Sequence, residues 1–206
     1  MQPKFYYQHR YNDTAMKRIC YDGMNFVPYI ENEKITARIR ELGQQITEEY
    51  RGRRPVFICV LNGAFPFAAD LFRQVETDAE IAFIRLSSYQ GTESTGKVRK
   101  LMGLTTDITN RPVIIVEDIV DTGTTITNLV KELKSHNPSD MKVATLLFKP
   151  EALEHNVTPD YVGFEIPKKF IIGFGLDLDG LARNLRDIWV LDESAHDAPT
   201  GYIEAL

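Results

Sequence analysis

The sequence has 206 residues, and its 29 Asp and Glu outnumber its 24 Lys and Arg, which gives a formal net charge of −5. Hydrophobic residues make up 43% and charged residues 26%, as in an ordinary globular domain, so the composition excludes a mostly disordered, collagen-like or disulfide-scaffold chain. The acidic balance argues against nucleic acid as a partner, because phosphate backbones are bound by an excess of basic side chains.

The N-terminal residues 1–30 are rich in Tyr, Asn and Asp and have no clear hydrophobic period. We therefore expect an irregular arm that packs on the body or on a neighbouring subunit. Residues 1–11 lack the apolar core of a signal peptide, and no stretch reaches the roughly 18 apolar residues that a membrane helix needs. We expect a cytoplasmic protein without a membrane partner.

The sequence contains two cysteines, Cys20 and Cys59. They do not have the spacing of metal ligands, and a chain of this size needs no disulfide framework. Cys59 lies within an apolar run and is expected to be a small core residue, whereas the role of Cys20 in its polar segment stays open.

From residue 35 onward, segments with helical and strand patterns alternate. Apolar residues at positions 35, 39, 42 and 46 have the spacing of an amphipathic helix, which Asn32 could cap. Further helices are predicted at 65–75 and 126–133, and strands at 56–61, 81–86, 113–116, 143–148, 161–165, 170–172 and 188–191. The alternation predicts an α/β fold with a central, mostly parallel sheet flanked by helices. Since no repeat or linker divides the chain, residues 1–206 are expected to form a single domain.

Residues 87–100 (SSYQGTESTGKVRK) form a polar, glycine-containing stretch. It has too few apolar residues to pack and too many small residues to be rigid. Long loops of this kind often bind ligands or close over them, so we expect a mobile loop here.

The strongest candidate for a functional site is segment 113–125 (VIIVEDIVDTGTT), because ligands of open α/β sheets bind beyond the carboxyl ends of the strands. Glu117 and Asp118 are expected to end its buried strand, and residues 122–125 to begin a helix. The helix N-terminus offers free backbone N–H groups to a phosphate, and Gly123 permits close approach. The acidic pair would repel phosphate but suits a sugar diol or a bridging divalent cation. Together these features predict a ribose 5-phosphate site.

The same segment also has a structural explanation, in which Glu117 and Asp118 are ordinary strand-end polar residues and a threonine caps the helix. The density of acidic residues after a buried strand favours the site. The segment is not a Walker A loop, since GxxxxGK[ST] is absent. Gly173 and Gly175 do not form a dinucleotide fingerprint, because Leu178 occupies the third glycine position.

Segment 113–125 resembles the phosphoribosyl pyrophosphate-binding motif of the type I phosphoribosyltransferases. Segment 87–100 is similar to the mobile loop of the hypoxanthine-guanine branch of this family, and VATLLFKP and GFEIPKKFIIGFGLDLD resemble the same branch in order and spacing. The resemblance covers roughly residues 35–191. It implies a type I phosphoribosyltransferase fold with a small hood formed by the N- and C-terminal parts, in which residues 150–206 contribute to base binding.

The resemblance also implies an activity. It is the Mg²⁺-dependent transfer of the 5-phosphoribosyl group from phosphoribosyl pyrophosphate to N9 of a 6-oxopurine, hypoxanthine and also guanine, giving IMP or GMP and pyrophosphate in purine salvage. The implied partners are these small-molecule substrates and further copies of the chain, in a homodimer or homotetramer.

Residue roles in segment 113–125 follow from the resemblance. Glu117 and Asp118 would bind the ribose hydroxyls, directly or through Mg²⁺. Asp121 would transfer a proton at N7 of the purine as the N9–C1′ bond forms, and capping the next helix is a compatible structural role. The residues that would hold the 5′-phosphate are Asp121, Thr122, Gly123, Thr124 and Thr125, of which Thr124 lies at a position that varies in the family.

Three residues are implied to bind the purine. Lys149 would donate to O6, and because lysine has only donors, it suits a 6-oxopurine and disfavours adenine. Phe170 would stack on the base, and the backbone of Ile171 would meet its Watson–Crick edge. As structural alternatives, Lys149 would be a solvated surface residue, and Phe170 and Ile171 would be core residues.

Other implied residues concern the metal and the pyrophosphate. Asp177 would be a second Mg²⁺ ligand at the purine site, and Arg183 would hold the pyrophosphate, although a surface salt bridge is the commoner role of a lone arginine. Asn62 and Gly63 match the family's pyrophosphate loop, with Asn62 where many members carry a basic residue. The closing loop would contribute two further residues, Ser88 and Tyr89.

Two other functions are weighed against this one. Residues 177–180 (DLDG) suggest a haloacid-dehalogenase-like phosphatase or a calcium loop, but Leu181 and Ala182 stand where those motifs need other residues. The second alternative is a non-catalytic phosphoribosyltransferase-like regulator that senses nucleotides and binds RNA, which the acidic charge disfavours. No histidine is expected in the site, because all four, His9, His136, His155 and His196, fall outside the predicted site segments.

Overall fold

The structure, a computed structural model, describes residues 18–21, 23–87, 99–102 and 104–193. Ser88, Tyr89 and most of segment 87–100 lie outside these residues, as do residues 1–17 and the tail from residue 194. The expectations for those parts of the chain stay predictions.

The predicted helices and strands occur in the predicted order, together with three strands that are not predicted, at Ile19–Tyr21, Met24–Ile30 and Arg99–Met102. The elements are β1 (Ile19–Tyr21), β2 (Met24–Ile30), α1 (Asn32–Glu49), β3 (Val56–Leu61), α2 (Phe65–Arg73), β4 (Glu80–Ser87), β5 (Arg99–Met102), β6 (Pro112–Val120), α3 (Thr124–Lys134), β7 (Asp140–Phe148), a 3₁₀ turn (Pro150–Ala152), β8 (Tyr161–Glu165), β9 (Ile171–Ile172) and β10 (Ile188–Leu191). None of these helices is long and apolar enough to cross a membrane.

The strands form two sheets. The central sheet has the order β5-β4-β3-β6-β7-β8, with β5 antiparallel at one edge and the other strands parallel. The second sheet, which we call the hood, is antiparallel and has the order β1-β2-β10-β9. The predicted α/β fold with a mostly parallel central sheet and a hood built from both ends of the chain is confirmed.

Helices cover both faces of the central sheet. Leu42 of α1 and Phe67 of α2 belong to one core with Phe57 of β3, and Leu129 of α3 belongs to the opposite core with Ile115 of β6. These five side chains are at most 1% exposed. Burial on both faces explains why the strands read as continuous apolar runs, and it leaves the strand ends as the place where polar side chains gather.

The expectation of an irregular N-terminal arm is wrong for residues 19–21 and 24–30. β1 and β2 form an antiparallel hairpin, and β2 also pairs with β10 from the other end of the chain. Within β2 the buried side chains are Phe26 and Ile30, with partly buried residues between them. Since β2 does not alternate buried and exposed residues, its sequence lacks the pattern by which a strand is recognised.

The predicted cap of α1 is also wrong, because Asn32 lies in the first turn of the helix and Glu31 precedes it without a side-chain cap bond. Instead, the backbone N–H of Asn32 donates to Oδ1 of Asp187 at 2.9 Å, and its side-chain amide donates to the carbonyl of Arg186 at 3.1 Å. The helix terminus is therefore satisfied by a carboxylate distant in sequence, just before β10.

Candidate active site

The predicted site residues gather where parallel strands end. Asn62 and Gly63 follow β3, residues 121–123 follow β6, and Lys149 follows β7. Since β3, β6 and β7 are neighbours in the sheet, their carboxyl ends lie side by side. This edge is where open parallel sheets bind their ligands.

Glu117 and Asp118 lie within β6, not at its end, because β6 pairs with β7 as far as Val120. Burial raises the pKa of Glu117 well above its ordinary value, and the adjacent charge of Asp118 raises it further. Burial also raises the pKa of Asp118 to about 6, although the backbone N–H of Ile119 donates to its Oδ1 and opposes the shift. Oε2 of Glu117 is buried and has no hydrogen-bond partner within the described part of the chain. Such desolvated carboxylates favour a cation or hydroxyl donors beside them.

The turn after β3 is packed tightly against the acidic pair. A Cβ at Gly63 would overlap the carboxylate of Asp118, and a Cβ at Gly175 would overlap the carbonyl of Gly63. Both positions therefore require glycine. The peptide bond between Leu61 and Asn62 in this turn is cis.

Arg183 contacts Gly175, the residue that packs against this turn. Its guanidinium donates to the carbonyl of Gly175 at 2.6 Å and forms an ion pair with Asp177 at 2.7 Å. The positive charge of Arg183 also lowers the pKa of Asp118, against the effect of burial. Arg183, which is predicted to bind pyrophosphate, is therefore close enough to the predicted metal ligands Asp118 and Asp177 for its charge to act on both.

The loop between β6 and α3 has the form of an anion-binding loop. Gly123 precedes α3 with a φ of 82°, and a Cβ there would crowd the side chain of Val157 at 2.7 Å. The hydroxyl oxygens of Thr122 and Thr124 lie 3.0 Å apart, and the N–H of Thr124 donates to Oγ1 of Thr122 at 3.3 Å. Gly123, and not Asp121, occupies the capping position of α3, and the side-chain bond to the helix start comes from Thr122. The helix N-terminus and the two hydroxyls lie together in this loop, as in an anion-binding site.

The expectation that all histidines lie outside the site is wrong for His155. Its Nε2 lies 3.1 Å from Oγ1 of Thr124, within hydrogen-bond distance. The segment that carries it is held on the loop by the N–H of Glu154, which donates to the carbonyl of Thr122 at 2.9 Å. No local sequence pattern signals this contact, because His155 and Thr124 come together only through the packing of β7 beside β6.

Lys149 and Asp121 form an ion pair, with Nζ 2.9 Å from Oδ2. The side chain of Lys149 is 10% exposed and that of Asp121 is 47% exposed. Lys149 is therefore not the solvated surface lysine of the structural alternative. The pair places an ammonium and a partly open carboxylate at the strand ends, beside the loop.

Phe170 and Ile171 belong to the hood. The ring of Phe170 is 45% exposed and tilts on the buried ring of Phe26, at a centroid distance of 6.1 Å. Ile171 begins β9 and is buried, and its Cα pairs with Val190 of β10. An exposed aromatic face on a buried support has the form of a stacking surface.

The residues that the structure describes include no group of three or more His, Cys, Asp and Glu that could hold a metal ion by themselves. The buried pair Glu117 and Asp118 still fits Mg²⁺, because this ion is usually held by one or two carboxylates together with substrate oxygens. The unpartnered Oε2 of Glu117 supports this fit. Asp177 is bound to Arg183 and accepts the N–H of Gly180 at 2.7 Å.

Comparison with known proteins agrees with this geometry. The family model described as a phosphoribosyl transferase domain matches residues 29–179. The chain is 43% identical over 166 residues to the hypoxanthine-guanine phosphoribosyltransferase of Streptococcus thermophilus, covering 80% of this chain and 92% of that protein. It is 40% identical over 169 residues to the enzyme of the same name from Lactococcus lactis, covering 82% and 92% of the two chains.

Solved structures are similar as well. A crystal structure of a hypoxanthine-guanine phosphoribosyltransferase from Bacillus anthracis superposes with a TM-score of 0.74 at 42% identity, covering 80% of this chain and 96% of that one. A hypoxanthine phosphoribosyl transferase from Trypanosoma cruzi has a TM-score of 0.74 at 38% identity, covering 81% and 91% of the chains. With the fold, the strand-end site and these relatives in agreement, the chain belongs to the phosphoribosyltransferase family.

Proposed function

We propose that the protein transfers the 5-phosphoribosyl group of phosphoribosyl pyrophosphate to N9 of a 6-oxopurine, hypoxanthine and also guanine, in purine salvage. The observation that carries this proposal is the Lys149–Asp121 pair, which lies at the carboxyl edge of the sheet beside the loop of Thr122, Gly123 and Thr124. The relatives named above, which are called hypoxanthine-guanine phosphoribosyltransferases, support the same substrates.

The purine would be recognised from two sides. Lysine has three donor positions, so Lys149 can keep its bond to Asp121 and donate to O6 at the same time. Phe170 would stack on the ring from the hood, and the backbone of Ile171 would meet the Watson–Crick edge. A donor-only ammonium has no acceptor for the amino group of adenine, which accounts for selection of oxopurines.

Asp121 would be the proton-transfer group at N7. Its carboxylate is partly open to the site and its charge is balanced by Lys149 at 2.9 Å. As the N9–C1′ bond forms, positive charge develops on the purine ring. A carboxylate at N7 would stabilise that charge and accept the N7 proton. The same loop would hold the 5′-phosphate through the N–H groups and hydroxyls of residues 122–125.

The acidic pair would hold the ribose. Glu117 and Asp118 would bind its hydroxyls directly or hold Mg²⁺, with Asp177 at a second Mg²⁺ position. Bound Mg²⁺ would supply positive charge that offsets the charge developing on the pyrophosphate. Asn62, Gly63 and Arg183 would bind the pyrophosphate from the other side of the turn, and Ser88 and Tyr89 would close over it and exclude water.

We also propose a cytoplasmic enzyme that assembles as a homodimer or homotetramer and binds neither nucleic acid nor a membrane. In the related Trypanosoma cruzi protein the C-terminal region has a role in the oligomeric state and the enzymatic activity, which supports an oligomer here. Size-exclusion chromatography with light scattering should give a mass of two or four chains, and a monomer would contradict this part of the proposal.

The activity is tested by nucleotide formation with Mg²⁺ and phosphoribosyl pyrophosphate. Hypoxanthine, guanine, xanthine and adenine are assayed side by side, and we expect turnover of oxopurines but not of adenine. Turnover of adenine alone would contradict the role of Lys149. Tight ligand binding without turnover of any base would instead favour a nucleotide-sensing regulator, for which RNA binding with a steep salt dependence is the further measurement.

A further inference from the structure

We propose that His155 is a positioning residue of the phosphate-binding loop, and that it orients the Thr124 hydroxyl toward the 5′-phosphate. The inference rests on the proposed function and deepens it. It starts from one contact, the 3.1 Å distance between Nε2 of His155 and Oγ1 of Thr124.

The contact extends into a chain of three side chains. Oγ1 of Thr124 lies 3.0 Å from Oγ1 of Thr122, so imidazole, hydroxyl and hydroxyl follow one another along the loop. Oγ1 of Thr122 also accepts the backbone N–H of Thr124 at 3.3 Å. The chain runs across the residues that precede and begin α3, which is where the phosphate oxygens would lie.

The number of available protons indicates which partner donates in the bond between His155 and Thr124. A threonine hydroxyl has one proton and can accept further bonds. If the imidazole accepts that proton, Thr124 has none left to donate to a phosphate. If Nε2–H and the hydroxyl of Thr122 both donate to Oγ1 of Thr124, the Thr124 proton is free to point to the ligand. An anionic ligand therefore favours the arrangement in which His155 donates to Thr124. In the same way, a donating His155 should strengthen the binding of a phosphate by the Thr124 hydroxyl.

Backbone contacts hold His155 in this place. The N–H of Glu154 donates to the carbonyl of Thr122, and the N–H of Val157 donates to the carbonyl of His155, both at 2.9 Å. A Cβ on Gly123 would lie 3.6 Å from Cβ of His155 and would crowd Val157. The segment from Lys149 to Val157 thus carries a purine contact at its start and a phosphate-loop contact near its end.

The side chains of Thr124 and His155 are 31 positions apart in sequence and form one unit in the fold. We infer that Thr124 and His155 act together in this protein, to strengthen binding of the phosphate on ribose without contacting the purine.

The test compares His155→Ala, His155→Gln, Thr124→Val and the double variant His155→Ala/Thr124→Val. Steady-state constants are measured for phosphoribosyl pyrophosphate and for hypoxanthine, and binding of ribose 5-phosphate is measured by calorimetry. His136→Ala is the matched control, because His136 is an exposed histidine beyond the far end of α3.

We expect His155→Ala to raise KM for phosphoribosyl pyrophosphate and Kd for ribose 5-phosphate about three- to tenfold, the range for loss of one hydrogen bond. KM for hypoxanthine and kcat should stay within twofold of the wild type, roughly the experimental error of such constants. Glutamine can donate from a similar position, so His155→Gln should recover most of the affinity. In the Thr124→Val background the His155→Ala change should have no further effect, because its partner is gone.

Three results would overturn the proposal: an unchanged KM for phosphoribosyl pyrophosphate, equal changes in all constants, or additive effects of the two substitutions. The proposed function fails separately, if the wild type turns over no purine at all. In that case the binding of ribose 5-phosphate still decides the role of His155, since that measurement does not depend on turnover.

Discussion

At the scale of single residues, the chemistry of the proposed site depends on the contact between Lys149 and Asp121. The position of Lys149 after a strand predicts a functional role, and the structure adds that its ammonium is bound to Asp121. In this pair the carboxylate lies 2.9 Å from the ammonium of a nearly buried lysine and satisfies one of its donors. The pairing also means that substitution of either residue alters the electrostatics of the other.

Replacement of Asp121 by Asn tests its role in proton transfer. The amide keeps the shape and a bond to Lys149 but cannot take a proton, so we expect kcat to fall about 10²- to 10⁴-fold, the usual contribution of a general acid or base. Binding of ribose 5-phosphate should change little. Asp70→Asn on α2 serves as the control, and a kcat within twofold of the wild type would contradict the proton-transfer role.

The two cysteines should differ in reactivity. Burial, together with the charges of Glu117 and Asp118, raises the pKa of the Cys59 thiol to about 12, whereas Cys20 is exposed. Since the thiolate is the reacting form, a chromogenic disulfide reagent at pH 8 should label Cys20 rapidly and Cys59 only after denaturation. In Cys20→Ser the rapid phase should disappear, and a rapid phase that persists in that variant would contradict the burial of Cys59.

At the scale of elements, polar side chains join the C-terminal end of α1 to the central sheet. Glu49 accepts bonds from Lys142 of β7 and from the hydroxyl of Tyr161 of β8, the latter at 2.5 Å. The next residue, Tyr50, donates to Asp140 at 3.1 Å. The apolar face of α1 places the helix on the sheet, and these bonds fix the position of its end.

Because of the bonds of Glu49, the stability of the fold should decrease at acidic pH. The bonds from Lys142 and Tyr161 lower the pKa of Glu49, so the carboxylate stabilises the fold above its unfolded pKa of about 4.5, and this contribution is lost as the pH falls through the lower folded value. Urea unfolding should show Glu49→Gln to be less stable than the wild type at pH 7.

The difference between the two proteins should shrink as the pH is lowered below about 4, because the wild-type carboxyl is then protonated as well. Glu48→Gln is the neighbouring control, since Glu48 of the same helix makes an exposed pair with Arg51, which lies just beyond the helix end. A difference between Glu49→Gln and the wild type that is the same at every pH would contradict this role of the Glu49 carboxylate.

At the scale of the whole molecule, the two ends of the described chain meet in the hood. β2 from the N-terminal end pairs with β10 from the C-terminal end, and the buried Phe26 of β2 supports the exposed ring of Phe170. The N-terminal hairpin is therefore part of the support of the proposed base site, and not an appendage.

Truncation of Phe26 tests this support. Phe26→Ala should destabilise the protein by about 3–5 kcal/mol, the usual cost of removing a buried phenylalanine. It should also raise KM for hypoxanthine more than KM for phosphoribosyl pyrophosphate, because the hood carries Phe170. Phe26→Leu keeps most of the volume and should separate the two effects, and equal changes in both KM values in that variant would contradict the link.

Much of the fold is predictable because local patterns carry it. Strands buried on both faces read as apolar runs, and α1 shows its inward face through Ile35, Ile39, Leu42 and Ile46. Glu117, Asp118 and the loop that follows are recognisable because their chemistry lies in one continuous segment. The resemblance to the phosphoribosyltransferases then supplies the roles that this chemistry alone does not give.

What the sequence by itself determined is therefore the α/β class, the three helices with the strands between and after them except β5, and the strand-end location of the site, since each depends on neighbours along the chain. The tertiary structure decided the rest: the strands β1 and β2, the cap of α1 by Asp187, the pairing of Lys149 with Asp121 and the contact of His155 with Thr124. Each of these joins residues far apart in sequence or depends on a partner strand. Local periodicity contains no information about such partners, because they become neighbours only when the sheet has formed.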